Sequence, residues 1–474
     1  MQTARAEDSG GLGKSAGAAM IALDALTAIS QDTPPVRSRA LQSGLHHLPK
    51  PLASRLRSDL LLGLGLRGAG AISSFALTWI MAQMFGAKII GLYQIAFTTM
   101  TLLAGMAALG QPVIMVRQLP TLLRENRLAE ARERFRGSFR FVADLGIALA
   151  LLAAAISLPM ATLLIEDTGL ASFIIAIAPA VLLLPLVRLQ CALLRCHGQV
   201  RLSQSLEGVG YTTFAMLVML GLWQSGGNYN PLFAPAALVT GLTMSLATGA
   251  YFVRKSLGKE GRSAPTARPE IAAGAWVATA PLVTLAGNWL ILLTIGAMLG
   301  AADAGVFRTA VQICMLMELI NTSFATMAGP HLAFAAGSRD TARLRRIILV
   351  AGGIGIALAS PLGLLAIMAP KWLLGLFGPE FVSGAEALRW IAVGQLVNVA
   401  AGPVGIALVM QKRERTVLLV EIGATACGLL TVFALVPQWG LTGASLGVLI
   451  AVAIRNLTNA ALVWMARADP EAEA

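Results

Sequence analysis

Residues 86–96 read GAKIIGLYQIA, and residues 300–310 read GAADAGVFRTA. Across an offset of 214 residues the two stretches share two glycines, two alanines and an aromatic position. The same offset relates Arg201 to Arg415 and Glu207 to Glu421, and Pro112 and Pro330 agree within four residues. A single match of this kind is weak, but a constant offset over separate places marks an internal repeat. Each quoted stretch is a short joint between long apolar runs. An even number of runs per copy leaves both copies in the same orientation. The halves should then be related by an axis along a membrane normal, with a cleft between them.

The rest of the chain fits this frame. Of its 474 residues 56% are apolar and 13% charged, with a mean hydropathy of +0.73. A soluble domain carries about 25% charge, so a disordered chain and an ordinary soluble enzyme are both excluded. Apolar runs are expected to span at about 60–85, 92–116, 141–165, 171–195, 203–223 and 232–253. A second set falls at about 271–299, 306–328, 347–368, 387–409, 417–435 and 442–465. Lipid offers no partner to unpaired backbone groups, and the runs are too long for barrel strands, so all should be helices. The expectation is an all-α polytopic membrane protein of about twelve transmembrane helices in two parallel-repeat six-helix bundles around a central cavity. The bundles should occupy 59–253 and 271–466, joined by a cytoplasmic linker at 254–270. Residues 1–58 read as a disordered cytoplasmic tail, and 467–474 as a short second one.

Charge sets the orientation. With an internal amino terminus, 29 of the 36 Lys and Arg residues fall in the tails and alternate joints on one side. The opposite joints hold only Lys88 and Lys371. That asymmetry is the positive-inside pattern, with both termini cytoplasmic. The net charge of +12 is therefore a topology signal, and nucleic acid is not an expected partner.

Five arginines remain inside spans or at their ends: Arg67, Arg188, Arg308, Arg389 and Arg455. An intramembrane arginine facing lipid costs about 2.5–3.5 kcal/mol even on the mild insertion scale, so each is a cavity candidate. Arg67, Arg188 and Arg455 lie in the inner half of the membrane, with Asn459 one turn beyond Arg455. Snorkelling to cytoplasmic headgroups is the competing account of these three. For Arg308 and Arg389, near outer ends, it is a headgroup anchor. Glu318 stands near the middle of the eighth span, either as an ion-coupling group or as the partner of an arginine. Asn288, Asn321, Gln395 and Asn398 could bond a polar cargo or simply a neighbouring helix.

The joint FGAKIIGLYQIAF, its echo LGAADAGVFRTAV, and the runs FGPEFVSGAEALRWIAVGQLVN and ALVPQWGLTGASLGVLIAV resemble the polysaccharide transporter family. These are Wzx-type lipid-linked oligosaccharide flippases of the multidrug/oligosaccharidyl-lipid/polysaccharide exporter superfamily. The resemblance covers about 58–465, and its glycine and aromatic motifs speak more to fold than to cargo. It implies movement of an undecaprenyl-diphosphate-linked oligosaccharide from the cytoplasmic to the periplasmic leaflet of a bacterial inner membrane. H⁺ or Na⁺ is the expected coupling ion, for which Glu318 is the candidate carrier if no arginine pairs with it, and a glycan polymerase is the expected partner. No cofactor is implied. Arginine suits a diphosphate because its planar fork donates two parallel hydrogen bonds. Arg67 and Arg455, from the first and last spans, are the expected two-point clamp. Arg188, Arg308, Asn288 and Asn459 complete the candidate cargo site.

Other readings are weaker. Gly13-Lys14-Ser15 resembles the end of a phosphate-binding loop, but Asp8 stands where that loop needs glycine. Gly63, Gly65 and Gly68 fit a dinucleotide fingerprint, yet no strand precedes them and helix packing through small residues explains them. No HExxH or Ser/His/Asp arrangement appears in an outer joint, and the four cysteines show no paired-metal spacing. A polymerase or ligase of lipid-linked glycan should carry a large outer catalytic loop, whereas the longest outer joint is about 369–386. A cation-coupled multidrug exporter should carry an acid in the first span, and 60–85 contains none. No enzyme is expected.

Overall fold

The computed structural model describes residues 50–227, 229–257, 269–338 and 340–465, without the side chains of 50–64, 67 and 324–327. The expected tails at 1–58 and 467–474 therefore lie outside the described residues, save that helix already begins at Lys50. So does the middle of the expected linker, and the sixth span runs on to Leu257.

Every regular element among the described residues is helical. Eight helices are long and apolar enough to cross a membrane, and two bent pairs, Ala301–Ser323 with Ala328–Gly337 and Pro379–Ala401 with Val404–Met410, qualify as two more. Two of the eight are hairpins. Lys50–Ala108, at 59 residues, would be roughly 90 Å long if straight, three times the hydrocarbon thickness. It turns at Gly86, where φ is 73°. Glu414–Met465 turns in the same way at Gly440, with φ 55°. Counting the two arms of each hairpin separately gives twelve apolar segments among the described residues. The others are Leu128–Leu163, Gly169–Cys196, Val200–Gln224, Phe233–Leu257, Ile271–Leu299 and Thr341–Met368.

The outer surface is a lipid face. Leu151, Leu163, Leu419 and Leu430 are all more than 60% exposed, which a water-facing surface would not tolerate in such number. Trp223, Trp372, Trp390 and Trp439 are exposed at the end that carries the repeated joints, and Tyr251, Trp276 and Trp464 at the arginine-rich end. Those are the positions of two interfacial aromatic belts.

The repeat shapes the seam between the halves. Gly86 and its echo Gly300 both adopt positive φ with extended ψ, so each copy turns a corner there. One turn on, a β-carbon at Gly91 would lie 1.7 Å from the Ala301 carbonyl oxygen, and one at Gly305 would lie 2.0 Å from that of Ala87. The second and eighth spans thus meet backbone to backbone across a pseudo-twofold axis. Trp79 and Gln83 donate to the Leu376 carbonyl at 2.8 and 2.9 Å, and the Ala87 amide donates to Glu380 at 3.0 Å. At this end Lys88 also pairs with Asp167 at 2.8 Å, and its ammonium holds the Asp167 carboxyl below the usual carboxylate range. At the arginine-rich end the contact is narrower: Gly110, with φ 70°, lets the second span approach the Gly274 carbonyl of the seventh.

Candidate functional site

Between the halves, beside the Gly110–Gly274 contact, lies a cavity of about 390 Å³. Gly105, Pro112 and Val116 line it from the second span and its continuation, and Pro281, Leu282 and Leu285 from the seventh. Its polar groups are Arg188 and Arg195 from the fourth span and Glu207 from the fifth. Glu207 sits in a π-helical turn, Ser205–Gly210, a distortion frequent at functional sites. Gly208 of that turn lies against Gly70 of the first span, which has no side chain to keep the two apart. Glu207 pairs with Arg195 at 3.0 Å. Arg188 is half-buried and has no ion pair or hydrogen bond among the described residues. The cavity therefore carries one neutralised pair and one uncompensated cation, in walls that are otherwise apolar.

The remaining candidates are dispersed. Arg67 lies on the first span one turn from Gly70, but its side chain is outside the described residues. Arg455 is paired: its Nη1 lies 3.5 Å from Glu421, which also accepts a 2.7 Å hydrogen bond from Thr284. Asn459 is buried, its amide toward Gly405, and its Oδ1 has no partner among the described residues. Asn288 is exposed; at 100° per residue it falls about 20° from Pro281, on the face of the seventh span that lines the cavity. Arg308 belongs to the seam, where it donates to Gln94, its partner across the 214-residue offset, at 3.2 Å. One turn further in, Gln312 reaches Ser74 at 3.3 Å. Arg389 donates to the Ile367 carbonyl and pairs with Glu386, which anchors it at the outer end.

Among the described residues no arginine pairs with Glu318, and the side chain of Arg67 on the facing first span lies outside them. The Oε2 of Glu318 accepts from Asn398 at 3.1 Å; Asn398 also donates to Gln395, and Asn456 donates to Asn398 at 3.0 Å. This chain of amides joins the eighth, tenth and twelfth spans inside the second half. Asn456 and Arg195 were not singled out by the sequence. Asn456 stands three residues before Asn459 beside Arg455, a polar cluster that could have drawn notice. Arg195 reads as a joint residue until the fold turns it inward.

The sequence profile of a family described as polysaccharide biosynthesis protein matches residues 63–333. No curated protein sequence matches the chain. Among solved structures, it is similar to an inward-facing multidrug resistance MATE family transporter of the MOP superfamily, at 15% identity and TM-score 0.66, covering 86% of this chain and 97% of that one. A MOP superfamily transporter from Pyrococcus furiosus, described with a binding pocket of reverse polarity, gives 14% and 0.63 over 87% and 94%. The lipid II flippase MurJ, in an inward closed conformation, gives 13% and 0.66 over 85% and 87%. At such identities these likenesses establish the fold alone.

Proposed function

Because the chain belongs to the polysaccharide biosynthesis protein family, we propose that it flips a glycan linked to undecaprenyl diphosphate from the cytoplasmic to the periplasmic leaflet. The observation that carries this reading is Arg188, a cation with no ion pair or hydrogen bond among the described residues, in the cavity between two halves. A charged group held in an apolar wall without compensation is costly, and a diphosphate entering the cavity supplies the missing anion. Arg195 joins it by sharing its charge with Glu207. Arg455 reaches cargo only by exchanging Glu421 for phosphate, and Arg67 is the other member of the expected clamp. Asn288 offers an amide to the sugars, and Asn459 a second one if the tenth span moves. Glu318, which accepts from the amide of Asn398, is the group we assign to H⁺ or Na⁺ coupling.

This reading places the arginine-rich end and both termini in the cytoplasm of a bacterial inner membrane, with a glycan polymerase acting after it. A drug exporter of the same fold is the competing function, and the cationic cavity disfavours it because its cargo is itself cationic. Depleting the protein should trap lipid-linked glycan in the cytoplasmic leaflet and leave sensitivity to cationic drugs unchanged. Hypersensitivity to those drugs with normal glycan export would overturn the assignment. Single cysteines at 369–386 should react with an impermeant maleimide from outside and those at 411–416 should not. The reverse would invert the topology.

A further inference from the structure

A second cavity, of about 850 Å³, lies wholly within the first half, between the third, fourth and sixth spans. Arg132, Arg136 and Arg140 line it from the third span and Arg254 from the sixth. The first three recur every fourth residue and so share one helix face. Arg132 is fixed by the Leu257 carbonyl, and Arg136 by Glu133 at 3.0 Å. Arg140 and Arg254 are exposed and have no ion pair or hydrogen bond among the described residues. Glu133 is occupied by Arg136, and Asp144, which continues the row one turn beyond Arg140, makes no ion pair among the described residues. Phe139 supplies an apolar wall, and Gln190, 3% exposed, keeps an Oε1 with no partner among the described residues.

Depth decides the ligand. The arginine face ends where the apolar part of the third span begins, at about residue 141, and Tyr251 of the aromatic belt stands on the sixth span beside it. Phosphates of the membrane lie at that level. A pocket that is cationic at its mouth, apolar in its wall and set between spans is built for a lipid headgroup. None of the residues that line it comes from the second half, so it is separate from the cavity proposed for cargo.

We propose that this pocket binds the phosphodiester of an anionic phospholipid of the membrane leaflet at the arginine-rich end, with Arg140 and Arg254 gripping the phosphate and the acyl chains lying along Phe139. The test is native mass spectrometry of the full-length protein with phosphatidylglycerol, phosphatidylcholine or soluble glycerol 3-phosphate. Phosphatidylglycerol should be retained at least about tenfold better than phosphatidylcholine. The double variant Arg140→Gln, Arg254→Gln should lose about tenfold to thirtyfold of that retention, at an unchanged Tm because neither arginine holds another residue. Equal retention of the two lipids, or undiminished retention by the double variant, would overturn the proposal. Binding of glycerol 3-phosphate in place of lipid would make the pocket a site for a soluble anion and would overturn it as well.

Discussion

Arg188→Ala should cut transport of the diphosphate-linked glycan about tenfold to a hundredfold while leaving the protein as stable as before. The two halves of that result come from one observation. Arg188 has no hydrogen-bond or ion-pair partner among the described residues, so its removal orphans nothing in the fold. In the loaded cavity the same guanidinium makes charge-assisted bonds to phosphate, worth about 1.5–3 kcal/mol each, and each 1.4 kcal/mol is tenfold in affinity. Arg188→Lys should recover part of the loss, because it restores the charge but not the planar fork. The contrast with Arg455 is informative. Arg455→Ala leaves the buried Glu421 with only its Thr284 hydrogen bond, so that variant should lose stability, as breaking a paired buried charge does. A fall in Tm for Arg188→Ala, matching any fall in transport, would mark Arg188 as a structural residue and remove it from the cargo site.

Gly91→Leu should leave the seam between the halves unable to close at the end that carries the repeated joints. The β-carbon would lie 1.7 Å from a backbone carbonyl oxygen, a contact that no rotamer relieves. Overpacking of this kind costs about 1–3 kcal/mol or more, enough to lower the closed population by roughly tenfold to a hundredfold. Transport by alternation needs the seam to open and to close, so the variant should bind cargo and not deliver it. The structural readout is a cysteine at Gln94, which is buried at the seam. In a Gly91→Leu background it should react with an impermeant maleimide much faster than in the wild-type background, provided the protein elutes as one homogeneous species. An unreactive cysteine in the homogeneous variant would mean that the two spans slide rather than part, and that this contact is not the gate.

The repeat made much of this architecture legible. Its offset of 214 residues pairs Gly86 with Gly300 and Gly91 with Gly305, and the structure uses both pairs in the same way at the turn and at the seam. It even pairs Gln94 with Arg308, which touch. What the sequence could not supply was partnership among charges. Glu421 and Arg455 are 34 residues apart and meet only because the chain doubles back at Gly440. The expected two-arginine clamp therefore changes character, since one of its members already holds a carboxylate. The partners of Glu318 were hidden for a similar reason: Asn398 donates to it and Asn456 donates to Asn398, from spans whose rotation no periodicity fixes. Arg188 gained importance as the cavity cation without an ion pair or hydrogen bond among the described residues.

The central claim is that the cavity carries an anionic lipid-linked glycan, and transport by the purified protein in proteoliposomes tests it most directly. A labelled oligosaccharide on undecaprenyl diphosphate, supplied on one face, should become accessible on the other only when the protein is present and only when Arg188 is intact. A rhodamine-type cation offered to the same vesicles should stay where it was placed. Movement of the cation without movement of the glycan, in vesicles whose protein is folded and inserted, would contradict the account.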